Sequence, residues 1–209
     1  MSGQLTLFVD GYFANPFDAT CFIALTEKQL PFSIARALLR DGQGLPPGLA
    51  SQTAISRVPA LQHGDFVLTE SMAIAEYLED TFPEHPVFPR DPRGRARARQ
   101  IMAWVRFDLR ELRAQRPWST TIYPANQPPL TASAAREAAE LAEVVGRLLA
   151  QGDLDRWNIA HADLALTLSR VREHDLRLPA RVAEFHAAML ERPSVKAYIA
   201  HPPPPHPPP

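Results

Sequence analysis

Ser56–Leu78, SRVPALQHGDFVLTESMAIAEYL, decides the fold. A run ending in Pro59-Ala60-Leu61-Gln62 crosses a polar turn at His63-Gly64-Asp65 and resumes with Phe66-Val67-Leu68. A turn signal between two short apolar runs reads as a β-hairpin. Thr69-Glu70-Ser71 then opens a helix, because Ile74, Tyr77, Leu78 and Phe82 recur at i, i+3, i+4 and i+8, the stripe that an amphipathic helix buries. Pro59 stands where the first strand begins, a position that tolerates its missing N–H. A cis bond ahead of it would turn the main chain of Val58 outward, its N–H and C=O open to an extended ligand backbone.

Upstream, Leu5–Val9 is a short apolar run closed by Asp10-Gly11 and reads as a buried strand. Asn15 is a helix N-cap with Pro16 at the first helical position. Phe17, Cys21, Ala24 and Leu25 then mark a helix that ends near Lys28. Residues 31–35, PFSIA, form a second strand, parallel to the first because a helix connects them. Residues 41–56, rich in Gly and Pro, make a loop with one short helix. This order is the thioredoxin-like α/β arrangement and accounts for residues 1–82. The proline-rich segment 83–92, PEHPVFPRDP, is the linker.

Residues 93–200 are helical by period, so the fold class is α/β plus all-α. Ile101, Trp104, Val105, Asp108, Leu109 and Leu112 share one face of a long helix. Further helices are expected around Leu141–Leu149, Ala160–Val171 and Val182–Met189, and a last short one begins at Pro193. The final 201–209, HPPPPHPPP, reads as an extended tail.

Bulk properties narrow the function classes. With 22 Lys and Arg against 23 Asp and Glu, the net charge of -1 offers no global attraction to nucleic acid or to an anionic membrane. Arg93, Arg95, Arg97 and Arg99 alternate along a helix, so they do not share a face, and no aromatics interleave them for base stacking. No apolar run is long enough to span a bilayer, and MSGQLTLFVDGYF lacks the pattern of a secretory leader. The single Cys21 cannot form an internal disulfide, which fits a reducing cytoplasm. Its spacing puts it on the apolar stripe of the first helix, where cysteine is inert core.

Val58-Pro59, the hairpin and Glu70-Ser71 together resemble the glutathione-binding half of the cytosolic glutathione transferases. The all-helical second half extends that resemblance over almost the whole chain. It implies a thioredoxin-like N-terminal domain and an all-helical C-terminal domain. It also implies glutathione as co-substrate without any metal, a homodimer, and a cytoplasmic location. The implied partners are glutathione and a small electrophile or hydroperoxide. Val58, followed by a cis Pro59, would pair with the cysteinyl backbone of glutathione. Ser71 at the helix start suits the γ-glutamyl carboxylate, and Glu70 suits the ammonium group. Arg57 or Gln43 would meet the glycyl carboxylate; Gln52 is a further candidate, and Gly44 stands where relatives often carry a cation.

Glutathione supplies its own nucleophile, so the protein must keep a thiol ionised. Lowering a pKa from about 8.5 to about 6.5 takes close to 2.7 kcal/mol. A helix N-terminus gives at most about 2 kcal/mol, and a hydrogen bond to the sulfur about 1.5–3 kcal/mol more. Relatives place Tyr, Ser or Cys just after the first strand for this bond. Here Asn15 holds that position and is expected to donate to the thiolate, with Tyr12 as substitute donor and a purely capping Asn15 as the competing reading. The second substrate is expected near Trp104, Asp108, Arg113 and Trp118, with Arg116 also at hand. The resemblance further implies glutathione-dependent peroxidase activity. A glutathione-binding module of the same fold without turnover is the alternative. Finally, Trp157–His161 is similar to the family's buried helix start, with Asn158 as cap and His161 in place of the reciprocal acid.

Overall fold

A computed structural model describes residues 3–13, 15–37, 45–122 and 127–201. Four strands, β1 (Leu5–Asp10), β2 (Phe32–Ala37), β3 (Ala60–His63) and β4 (Phe66–Thr69), form one sheet in the order β2-β1-β3-β4. Helices α1 (Pro16–Glu27), α2 (Pro47–Ala50) and α3 (Ser71–Thr81) accompany them. β1 and β2 are parallel, as their helical connection requires, whereas β3 runs antiparallel to both β1 and β4. The hairpin turn is tighter than the sequence suggests: His63 still pairs with Phe66, so only Gly64 and Asp65 connect the strands. Gly64 takes φ 63°, the left-handed backbone that glycine reaches without a Cβ clash. This is the thioredoxin-like arrangement, and α3 buries Ile74 and Leu78 as its stripe demands.

Two compact units divide the chain, one comprising Met1–Val87 with Ala197–Pro209 and the other Phe88–Lys196. The second is helical: α4 (Pro92–Phe107), α5 (Arg110–Gln115), α6 (Ser119–Ile122), α7 (Ala132–Gln151), α8 (Ile159–Leu168) and α9 (Ala180–Leu190). α10 (Pro193–Ile199) runs across the division, so Tyr198 belongs to the first unit.

One expected element is broken. The long helix through Leu112 stops at Phe107, Asp108 is its C-cap, and Leu109 turns to φ 55° before α5 restarts. Both Leu109 and Leu112 are nevertheless buried. The apolar period therefore runs on across the break.

The start of α8 carries a full capping box. Asn158 Oδ1 accepts from the Ala160 N–H (3.0 Å), and His161 Nδ1 accepts from the Asn158 N–H (3.2 Å). His161 Nε2 then donates to the Leu154 carbonyl at 3.1 Å, which fixes the neutral Nε2–H tautomer. A buried imidazole thus does what a carboxylate does in the usual box. Burial lowers its pKa from the ordinary value, and the nearby Arg192 charge lowers it further, against the two hydrogen bonds. Because the folded pKa lies below the unfolded value of about 6.5, the contribution is complete above that pH. It is lost as the pH falls from there through the folded value. His161→Ala, which strands the Asn158 N–H and the Leu154 carbonyl, is expected to cost about 1–3 kcal/mol at pH 7.5. In paired urea titrations that difference from wild type shrinks at pH 5.5.

Candidate functional site

Cross-strand register gathers three chain segments at one end of the sheet. Phe8, near the end of β1, faces Ala60, and Ala60 faces Thr69. The turn after β1, the Val58-Pro59 step before β3 and the Glu70-Ser71 step after β4 all leave from that end.

At the first segment, the Phe13 N–H closes a turn on the Asp10 carbonyl at 2.9 Å, with Tyr12 half-buried inside it. Asn15 caps α1: its Oδ1 accepts from the Phe17 N–H at 3.1 Å, and its amide nitrogen donates to Asp18 Oδ1 at 3.0 Å. The second amide hydrogen is unused among the described residues. Asp18 is buried and also accepts the Asp10 N–H at 2.6 Å. Burial pushes its carboxyl well above the usual range, and hydrogen bonds from Asp10 and Asn15 oppose the shift. Below this network Tyr198 donates to the Asn15 carbonyl at 3.0 Å. Its ring packs 5.6 Å from those of Phe13 and Phe22. Burial raises its pKa well above the usual value, the Asp18 and Asp10 carboxylates adding to it, so the hydroxyl remains a donor.

The second segment has the expected cis bond between Val58 and Pro59. The Val58 side chain is held in a cluster with Phe8, Leu45, Ala60 and Val67, while its main chain lies just outside the ladder that starts at Ala60.

In the third segment Glu70 is the N-cap of α3 with φ 72°, a left-handed backbone that a non-glycine residue rarely adopts. The twist makes Ser71 the first residue of α3, buried, at the helix's positive end. The Glu70 side chain is half exposed and sits 3.4 Å from the Arg57 guanidinium. An exposed pair of this kind is worth little and yields readily to a ligand.

Gln43 lies outside the described residues. Gln52 donates to the Gly48 carbonyl within its own loop. In the helical unit Trp104 is half-buried, Asp108 is an exposed helix cap, Arg113 donates to the Arg106 carbonyl and Trp118 is 4% exposed. Two cavities of that unit, about 430 and about 320 Å3, are lined by none of these four. Cys21 is fully buried, as its stripe position requires. Two residues of the Asn15 network, Asp18 and Tyr198, lie outside the expected set. Asp18 had a signal, since Asn15-Pro16-Phe17-Asp18 has capping-box spacing. Tyr198 had none, being 183 residues from its partner. No group of His, Cys, Asp or Glu suited to a metal occurs among the described residues, and no helix among them is long and apolar enough to cross a membrane.

The chain is similar to known proteins over both of its halves. A glutathione S-transferase N-terminal domain model matches residues 4–80, and a glutathione S-transferase C-terminal domain model matches residues 91–202. Glutathione S-transferase theta-1 from Bos taurus is 33% identical over 105 residues, 49% of this chain and 43% of that protein. Glutathione S-transferase 1 from Dianthus caryophyllus is 42% identical over 74 residues, 35% of this chain and 34% of that protein. The chain therefore spans less than half the length of these curated relatives. A crystal structure of a glutathione transferase homolog from Burkholderia gl BGR1, with bound glutathione, is 31% identical. It covers 94% of this chain and 96% of its own with a TM-score of 0.73. With one model matching each half in order, and a homolog aligned from end to end, the chain belongs to the glutathione S-transferase family.

Proposed function

We propose that this protein binds glutathione along Val58 and conjugates its thiol to electrophiles. The observation that carries the reading is the arrival of Val58 and the buried N-terminus of α3 at one end of the sheet. The Val58 N–H and C=O suit the cysteinyl backbone, the Ser71 N–H and hydroxyl suit the γ-glutamyl carboxylate, and Glu70 suits the ammonium group. Arg57 and Gln43 are the donors proposed for the glycyl carboxylate. The Burkholderia homolog, solved with glutathione, supports the choice of ligand.

The remaining N–H of the Asn15 amide is the donor we assign to the thiolate, with Tyr12 as substitute, at the N-terminus of α1 where the helix field favours negative charge. An amide cannot accept the thiol proton, which leaves to water. Asn15→Ala is expected to lower kcat/KM by about one to two orders of magnitude, the loss of a hydrogen bond to a charged atom. It should also raise the pKa of bound glutathione, read from thiolate absorbance. Asn15→Ser keeps the cap and supplies a hydroxyl, so it should retain activity. Equal turnover and equal thiol pKa in Asn15→Ala would remove Asn15 from the mechanism.

Trp104, Asp108, Arg113 and Trp118 remain the residues proposed for the second substrate, and a homodimer in the cytoplasm the proposed setting. Attack of the same thiolate on a hydroperoxide, releasing the alcohol and forming a sulfenate that a second glutathione reduces, is the further activity proposed. The bond from the Asn15 amide to Asp18 favours a second reading, a glutathione-binding module without turnover. Assays with an aryl halide and with an organic hydroperoxide, each against glutathione concentration, separate the two. Saturable product formation supports the enzyme, and tight glutathione binding with no product supports the module.

A further inference from the structure

The helical unit buries cations that the glutathione reading does not use. Two of its arginines have carboxylate partners, Arg106 with Asp163 and Arg116 with Asp175. Arg170, in the turn after α8, is 5% exposed and among the described residues makes a single hydrogen bond, from Nη1 to the Arg116 carbonyl at 2.6 Å. No carboxylate among the described residues pairs with it. Burial, with the like-signed charge of Arg113 adding to it, lowers its pKa to about 10. A guanidinium has five donors in a planar fork, of which the described residues engage the one on Nη1.

Donors are also in surplus on the neighbouring segment. Trp118 Nε1, Thr121 Oγ1 and Arg113 Nε are buried with no acceptor among the described residues. The segment bearing Trp118 and Thr121 is bonded to the turn after α8, by Arg170 to the Arg116 carbonyl and by Arg172 to the Thr120 carbonyl. Burying an unpaired charge is costly, and an apolar side chain of similar volume would avoid that cost. An incoming anion removes it equally well.

We propose that Arg170, with Arg113 beside it, is a binding site for the carboxylate of a small apolar acid. The planar fork matches a carboxylate bidentately. Leu109, Leu112, Trp118 and Val171, all buried on the elements that carry these cations, suit an apolar body better than a hydrated phosphate. Arg113 and Trp118 are also residues proposed for the second substrate, so the site rests on that reading at these two positions, while benzoate titrated without glutathione reads it separately.

The test is calorimetric titration and thermal unfolding of the whole chain with benzoate, benzamide and inorganic phosphate, in wild type, Arg170→Met and Arg170→Lys. Benzoate is expected to bind saturably and raise the melting temperature, while its neutral isostere benzamide does neither. Arg170→Met should weaken benzoate at least ten-fold while unliganded it melts no lower than wild type, and Arg170→Lys should fall between. Should Arg170→Met not fold, Arg113→Gln serves in its place, with a several-fold loss of benzoate affinity expected. Unchanged benzoate affinity in the variants, equal response to benzamide, or equal stabilisation by phosphate overturns the proposal.

Discussion

Asp175→Ala is expected to cost about 3–5 kcal/mol of stability, the penalty of stranding a buried cation. Arg116 is fully buried, and its guanidinium grips Asp175 through Nε at 2.9 Å and Nη2 at 2.6 Å. Its remaining donors go to the carbonyls of Gln115 and Pro128, neutral acceptors that do not offset the charge. Asp175 in turn accepts the Arg172 N–H at 3.2 Å. Burial alone would raise the Asp175 carboxyl, but hydrogen bonds from Arg116 and Arg172 outweigh it and hold the pKa below the usual carboxylate range. With the folded pKa below the unfolded value of about 3.9, this contribution is complete above that pH and lost as the pH falls through the folded value. Urea unfolding of Asp175→Ala and of the Arg116→Met/Asp175→Leu double variant checks the cause. The double variant, which removes both charges, should recover most of the loss.

Lys28→Ala carries a penalty of the same size, about 3–5 kcal/mol, in the other unit. The ammonium group of Lys28, at the C-cap of α1, is fully buried 2.8 Å from Glu79 of α3 and reaches the carbonyls of Glu84 and His85 at 3.4 Å. The same Glu79 oxygen accepts the Val87 N–H at 3.0 Å. Removing the lysine leaves a buried carboxylate with one main-chain donor. Because the pair ties α1 to α3, and the N-termini of those two helices carry Asn15 and Ser71, Lys28→Ala should also weaken glutathione binding. Calorimetry together with urea unfolding reads both effects. A variant that unfolds at the wild-type midpoint would contradict the account of this pair.

The hairpin, α1 and α3 were legible because glycine, proline and apolar period act locally and agree with one another. The break at Asp108-Leu109 was not. No glycine or proline marks it, and the apolar spacing continues through Leu112 because α5 keeps the same side buried. Spacing puts His161 at the reciprocal acid's position, but that an imidazole can act there depends on burial and tautomer, which the sequence does not report. At the candidate site, Val58, Pro59, Glu70 and Ser71 could be read from order along the chain. Their meeting point with Asn15 is a matter of strand register. Asn15 is more committed than its position suggests, its amide shared between capping α1 and bonding Asp18. Tyr198, which holds the Asn15 carbonyl, comes from the far end of the chain, and no pattern within a window of residues reports such a contact.

Titration of glutathione into the wild-type protein and into Ser71→Ala by calorimetry tests the pocket most directly. One molecule per chain should bind to wild type, and about ten- to a hundred-fold more weakly to Ser71→Ala, the loss of one hydrogen bond to a carboxylate. Absence of binding in the folded wild type, or equal affinity in the two proteins, would contradict the account.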